Sequence, residues 1–380
     1  MSSPQNPATM ENLSDDVFSY IFIRLPAKRL AQARCVSKSW NALLSRSSVV
    51  TSHLHRSIRH NDEILFAFSD LLPFDPKPFT AHPSQSPHQE VELTNLIKLP
   101  IDFHLRHASG TLIGSANGLI CFRYEDSHAL CIWNPSLSAV LSLPPYYMPS
   151  SAYKTFTALF RFGFDPKTDD YKVVKLVRFI YGNDKYFCRE WQQVEVYSMR
   201  KGSWEPITQR FPSDVEHIYG EDNVCVDGHD GHLHWLGYTD EIIESIVAFD
   251  LGAETFRVIP LPDSIQDGHS GHISNTLGVL GGKVCVMSCV MDEECEVWMM
   301  NEYGVVESWV KNHVFSGFSG NIIPFGFTLR NEFLFQVSQH GFGLYDPVEA
   351  KTKIFKVRGR PYTTRKVVHY VDSLVWPRVR

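Results

Sequence analysis

A strand pattern that returns roughly every fifty residues limits this chain more than any other feature of its sequence. Apolar runs begin at Leu119, Val173, Leu233, Val284 and Phe333, at intervals of 54, 60, 51 and 49 residues. Second runs that close on an aromatic or Asp recur behind them: Val196-Tyr197-Ser198, Ala248-Phe249-Asp250-Leu251, Val297-Trp298-Met299 and Leu344-Tyr345-Asp346-Pro347. The sharpest unit opens with Asn117-Gly118 and Leu119-Ile120-Cys121-Phe122. It continues with Leu130-Cys131-Ile132-Trp133 and turns at Asn134-Pro135-Ser136. Asn-Gly between apolar runs predicts a hairpin, because both residues accept positive φ. Three or four short strands per period predict the blades of a β-propeller, with a pair of large antiparallel sheets as the competing architecture. Five units are visible. Ile64–Phe68 with Val367–Val371 predicts a sixth, which pairs the two ends of the chain and removes an exposed edge.

Ahead of the repeats, Leu13 to Leu44 reads as three short helices. Ser14 is a candidate N-cap, and Asp15 and Asp16 follow where the helix dipole favours negative charge. Val17, Phe18, Ile21, Phe22 and Leu25 build an apolar stripe, which Pro26 ends. A second helix covers Lys28 to Ala33, and a third carries Val36, Trp40, Leu43 and Leu44. About thirty residues of this kind bury too little apolar area to stand alone, so the head needs a partner. A further helix with Val50, Leu54 and Ile58 leads to the first strand. Pro73 to Glu90, with five prolines, reads as a mobile loop. The expected division is a tail over 1–10, a helical module over 11–60, and a β domain over 61–380, most clearly repeated over 91–380.

Composition narrows the function. The 380 residues are 43% hydrophobic and 21% charged, and no apolar run approaches membrane length. MSSPQNPATM has neither an apolar core nor a basic flank, so the reading is a cytoplasmic or nuclear protein with reduced, buried thiols. Between Val17 and His60 stand eight Lys or Arg and no acidic residue, which divides the net charge of −6 into +8 here and −14 elsewhere. A basic head predicts an acidic partner surface. Nucleic acid is disfavoured, because the stripe with Trp40 is too apolar for a groove.

The signatures of common catalytic sites are missing: no GxxxxGK[ST], no GxGxxG after a strand, no GxSxG and no HExxH. His229, His232 and His234 are the best metal candidates, but Leu-His-Trp fits an ordinary strand. Cys285, Cys289 and Cys295 lack paired CxxC spacing and alternate as core residues. The expectation is no cofactor, no metal and no catalytic residue.

Two resemblances join these parts. Arg24-Leu25-Pro26-Ala27-Lys28, Leu30, Arg34 through Trp40 and Leu43-Leu44 resemble an F-box, although Ser14 stands where Pro usually follows the opening Leu, and Ala31 and Ala33 are small. Gly114-x-x-Asn117-Gly118, Ile132-Trp133-Asn134-Pro135-Ser136, Phe162-Gly163-Phe164-Asp165-Pro166, Asp169 through Val174, Val194 through Ser198 and Gly231 through Trp235 resemble the plant F-box-associated interaction domain. The expected fold is thus F-box helices followed by a kelch-like six-bladed propeller, mainly β, although Gly281-Gly282 is the one double glycine that fits a kelch repeat. The resemblance implies the substrate-recognition subunit of a Skp–cullin–F-box ubiquitin ligase. It would hold a Skp-type adaptor, and through it cullin and RING subunits, by Leu13, Val17, Ile21, Leu25, Pro26, Leu30, Val36, Trp40 and Leu43. Its target is an unidentified protein. Aromatic loop residues Tyr146, Tyr147, Tyr181, Tyr186, Trp191 and Phe318 are the candidate anchors, with inter-blade packing as their other reading. A propeller enzyme or glycan-binding protein with an unrelated helical head is the alternative. Turnover or sugar binding by residues 61–380 alone would favour it.

Overall fold

A computed structural model describes residues 14–69, 79–87, 110–124, 129–147, 155–183, 186–191, 193–218, 230–239, 244–266, 273–290, 294–316, 322–337, 341–356 and 364–377. They form four helices at the N-terminal end and six antiparallel sheets arranged as the blades of a propeller. The helices are Asp15–Phe22 (α1), Ala27–Arg34 (α2), Lys38–Leu44 (α3) and Ser47–Arg59 (α4). Glu63–Ser69 (β1) and Phe79–Pro83 (β2) come next. The first complete blade is Gly110–Ala116 (β3), Leu119–Tyr124 (β4), Ala129–Asn134 (β5) and Ala139–Ser142 (β6). The second is Thr155–Asp165 (β7), Asp170–Asn183 (β8), Tyr186–Trp191 (β9), Glu195–Ser198 (β10) and Ser203–Pro206 (β11). The long β8 pairs with β10 near its start and with β9 near its end.

The third blade is Val215–Ile218 (β12), His232–Thr239 (β13), Glu244–Asp250 (β14) and Thr255–Pro260 (β15). The fourth is Ile273–Leu280 (β16), Lys283–Val290 (β17), Glu294–Met300 (β18) and Trp309–Ser316 (β19). The fifth is Ile322–Phe327 (β20), Phe333–Val337 (β21), Gly341–Asp346 (β22) and Lys351–Lys356 (β23). The last strand, Thr364–Val371 (β24), pairs with β1 rather than with its predecessor, giving the order β2-β1-β24. The two chain ends therefore share the sixth blade, as the apolar pattern of Ile64–Phe68 and Val367–Val371 predicts. Inner strand β3 lies against β7 and β24, and β16 against β13 and β20. Leu65, Ala67 and Val367 pack with Phe325, Leu334 and Phe342 to seal the sixth blade to the fifth.

Asn117 (φ 52°) and Gly118 (φ 81°) both take positive φ in the β3–β4 turn, as the hairpin signal requires. The five repeat starts read from sequence mark second strands, not first ones; inner strands such as β3, with Gly110, Gly114 and Ser115, carry less apolar signal. Two expectations need correction. The proline-rich stretch 73–90 contains β2, whose Phe79–Pro83 pair in register with Ile64–Phe68. Pro83 sits at the end of an edge strand, where a missing N–H costs little. The reduced-thiol reading also fails at one pair: Cys289 and Cys295 face each other across β17 and β18 and are joined by a disulfide. Cys285 stays a free buried thiol, its pKa pushed up by desolvation.

The helical head is built around Phe18, Phe22, Ala27, Leu30, Leu43, Leu44 and Val49, with Leu374 from beyond β24 in the same cluster. Trp40 meets Phe22 edge-on at 5.0 Å between ring centroids and Phe18 at 6.2 Å. Ser14 caps α1 through Val17 N–H, and Ser37 caps α3 through Trp40 N–H at 3.1 Å. Val50 and Leu54 of α4 pack on the core shared by the first two blades.

Candidate binding surfaces

The first candidate surface lies on the outside of the head. The single stripe expected on α1 is two stripes. Phe18 and Phe22 point into the head, while Val17 (43% exposed), Tyr20 (58%) and Ile21 (40%) share the outward side at spacings of three and four. Leu25, 39% exposed, and the exposed Pro26 continue past the helix end. The Leu25 carbonyl is held by Nε2 of His53 at 2.9 Å. Val36, at the corner before α3, is 68% exposed. Sequence reasoning missed Tyr20, whose ring carries the Arg24 guanidinium at 3.9 Å. Its position three residues after Val17 was the available signal.

Other expected adaptor residues have a different place. Leu30 and Leu43 are buried in the head core, and Trp40 is half-buried against Phe18 and Phe22. Their apolar character is consumed inside the module, so they shape the surface rather than form it. Leu13 lies outside the described residues. The outer surface is also basic: Arg24, Arg29, Lys38 and Arg46 are exposed, whereas Arg34 turns inward and donates to the Leu44 carbonyl at 2.7 Å. Burial lowers the Arg34 pKa from its ordinary value.

The second candidate surface is the propeller face made by turns between second and third strands and by connections between blades. Strand alternation puts it opposite the β3–β4 turn, which adjoins the head. The β8–β9 hairpin, with Tyr181 and Tyr186 on its two strands, rises on this side. Tyr147, in the segment after β6, is 69% exposed. Two of the expected anchors are packed instead. Tyr146 is buried, with its ring 5.0 Å from that of Phe160 and 5.9 Å from that of Trp204. The Trp191 ring packs at a tilt on that of Phe211, 4.2 Å between centroids, and donates its indole N–H to the Val215 carbonyl at 2.8 Å. These two follow the inter-blade packing alternative. Phe318 lies outside the described residues.

The histidine turn is the third cluster, and its His229 lies outside the described residues. His232 and His234 share one face of β13, with ring centroids 6.3 Å apart. His232 Nδ1 lies 3.0 Å from the Asp230 carbonyl and its Nε2 lies 3.7 Å from Asp250. His234 Nε2 is paired with the Tyr303 hydroxyl at 2.9 Å. Among the described residues no group of three or more His, Cys, Asp or Glu converges as a metal site. Lys172, buried with Asp165 at 3.7 Å, also reaches Glu254 at 3.1 Å and the Leu251 carbonyl at 2.6 Å, and so ties the second blade to the third.

Comparison with known proteins agrees with this arrangement. Residues 63–338 match the F-box associated beta propeller domain, and residues 10–51 match the F-box domain. The F-box protein CPR1 of Arabidopsis thaliana is 30% identical over 318 residues, spanning 80% of this chain and 72% of that one. An Arabidopsis F-box/kelch-repeat protein is 25% identical over 79% of this chain and 78% of its own. A further Arabidopsis F-box protein is 25% identical over 97% of this chain and 92% of its own.

Proposed function

The chain belongs to the F-box proteins that carry an F-box associated beta propeller domain, and on that footing we propose that it is the substrate-recognition subunit of a Skp–cullin–F-box ubiquitin ligase. The observation that carries the proposal is the outward apolar strip of the head. Val17, Tyr20, Ile21, Leu25 and Val36 are each 39% to 68% exposed on a module whose core is already filled by its own helices and Leu374. A strip of that kind, rimmed by arginine and lysine, suits an adaptor with an apolar groove and an acidic border. Through the adaptor the chain joins cullin and RING subunits in the cytoplasm or nucleus.

The propeller holds the target protein by its loop face, for which Tyr147, Tyr181 and Tyr186 are the anchors that remain. The chain makes no isopeptide bond itself. It brings a target lysine beside ubiquitin carried on a separate enzyme, so the encounter becomes effectively intramolecular. No helix among the described residues is long and apolar enough to cross a membrane.

The test is affinity purification from cells with the proteasome blocked. Full-length protein should recover adaptor and cullin, and Ile21→Ala with Leu25→Ala should lose both while still recovering target. With the proteasome active, target proteins should accumulate only with the double variant. Full-length protein that brings down neither adaptor nor cullin would refute the proposal.

A further inference from the structure

Two sequence motifs of the first blade receive the same guest. Past β24 the chain continues as Asp372 through Pro377 with no ladder of its own and passes over the turns at Asn117-Gly118 and Asn134-Pro135-Ser136. Buried Asn134 donates from Nδ2 to the carbonyls of Ser373 at 3.0 Å and Val375 at 2.8 Å, and its Oδ1 accepts from Leu137 N–H at 3.0 Å. Gly118 leaves the space the tail needs: a Cβ there would stand 2.4 Å from the Ser373 Cβ and 2.5 Å from the Val371 carbonyl. Val375 and Trp376 then enter the core of the first two blades.

The other side of this tail faces the helices. Leu374 is 1% exposed and fills the head core beside Phe22, Leu30 and Leu44. The Asp372 carboxylate touches both bodies. Its Oδ2 accepts from the N–H of Ala27, the first residue of α2, at 2.7 Å, and its Oδ1 accepts from the Ser136 hydroxyl. That hydroxyl oxygen accepts in turn from the Tyr370 hydroxyl at 2.7 Å. Tyr370 is buried, which with the Asp372 charge pushes its pKa upward. The N-cap of α2 is Pro26, which has no side-chain cap to offer. Asp372, 345 residues away from Ala27 in sequence, provides one.

We infer that Asp372–Pro377 is a clasp that fixes the helical head at one attitude to the propeller, with Asp372 and Leu374 as positioning residues for ubiquitin transfer. Its purpose rests on the receptor role proposed above, whereas its geometry does not. Only His60, Asn61 and Asp62 join α4 to β1, and α4 itself is seated on the first blade. The clasp therefore governs α1 to α3, which carry the adaptor strip. A receptor that works by proximity gains most when its two occupied ends keep a fixed separation.

The test measures that separation directly by double electron–electron resonance on the full chain. One nitroxide goes on Cys35, which is native and exposed at the end of α2. The other goes on Val348→Cys, from a residue 92% exposed in the β22–β23 turn, with Cys188 and Cys225 replaced by serine. The parent should give one narrow distance distribution. Asp372→Ala should broaden it with helical circular dichroism unchanged, and Ser136→Ala, which cuts the same chain of hydrogen bonds from the propeller side, should broaden it too. Distributions as narrow as the parent's in both variants would overturn the clasp. If Asp372→Ala unfolds the head, Ser136→Ala alone decides. Failure of the parent to bind the adaptor would sink the receptor reading and leave the distance result intact.

Discussion

Replacing Ile21 and Leu25 together with alanine is the sharpest probe of the head. The two residues are 40% and 39% exposed, so neither substitution empties a core. That exposure corresponds to roughly 70–80 Å² per residue, or about 2 kcal/mol each at about 25 cal/mol per Å² if fully covered by a partner. Alanine keeps part of that area, so the pair should lose about 2–3 kcal/mol, or roughly 30- to 150-fold in adaptor affinity. Isothermal titration of purified protein with the adaptor measures this, and circular dichroism verifies that the helices persist. Leu30→Ala is the contrast. Leu30 is buried, so its truncation should cost about 2–5 kcal/mol of head stability, with affinity falling only as the head unfolds. A double variant that binds within about threefold of the parent would refute the surface, since about 0.7 kcal/mol is too little for two covered aliphatics.

Other expected outcomes test the body and the joint. Leu374→Ala should lower head stability by about 2–5 kcal/mol, seen as an earlier Trp40-dependent step in urea unfolding. Gly118→Ala should lower the melting temperature well beyond Gly281→Ala. Both sites have positive φ, at 81° and 57°, but only Gly118 has a neighbour in the way, whereas a Cβ on Gly281 meets nothing within 4 Å. Lys172→Met should cost about 3–5 kcal/mol in thermal unfolding, because it leaves the buried Asp165 carboxylate without its cation. A loss below about 1 kcal/mol would mean that Asp165 is satisfied by Lys167 N–H and Thr168 alone.

Much of the fold was legible because its signals are local. Asn117-Gly118 announces its own backbone conformation, and the runs from Leu119 to Phe333 are short continuous apolar stretches, the pattern of strands buried on both faces. The pairing of Ile64–Phe68 with Val367–Val371 was legible for a topological reason, since a closed ring has no use for an open edge. What periodicity cannot show is which of two neighbouring apolar residues faces in. On α1 it gave Val17, Phe18, Ile21 and Phe22 equal standing, and only packing against Trp40 separates them. Loop composition misled at Phe79–Pro83, where proline-rich flanks hid an edge strand, and at Tyr146 and Trp191, whose partners Phe160 and Phe211 lie in other elements. The facing of Cys289 and Cys295 needs the register of β17 on β18, which no spacing rule supplies.

The shared sixth blade also sets an order on synthesis. Helices α1 to α4 and strand β1 leave the ribosome long before residues 364–371, the partner of β1. Until then β1 has its full edge toward β24 unpaired, and the head lacks Leu374 from its core. A product truncated before residue 364 still carries the outward strip of the head, but its ring has no last stave. Only a chain translated past Leu374 yields both a closed ring and a finished head.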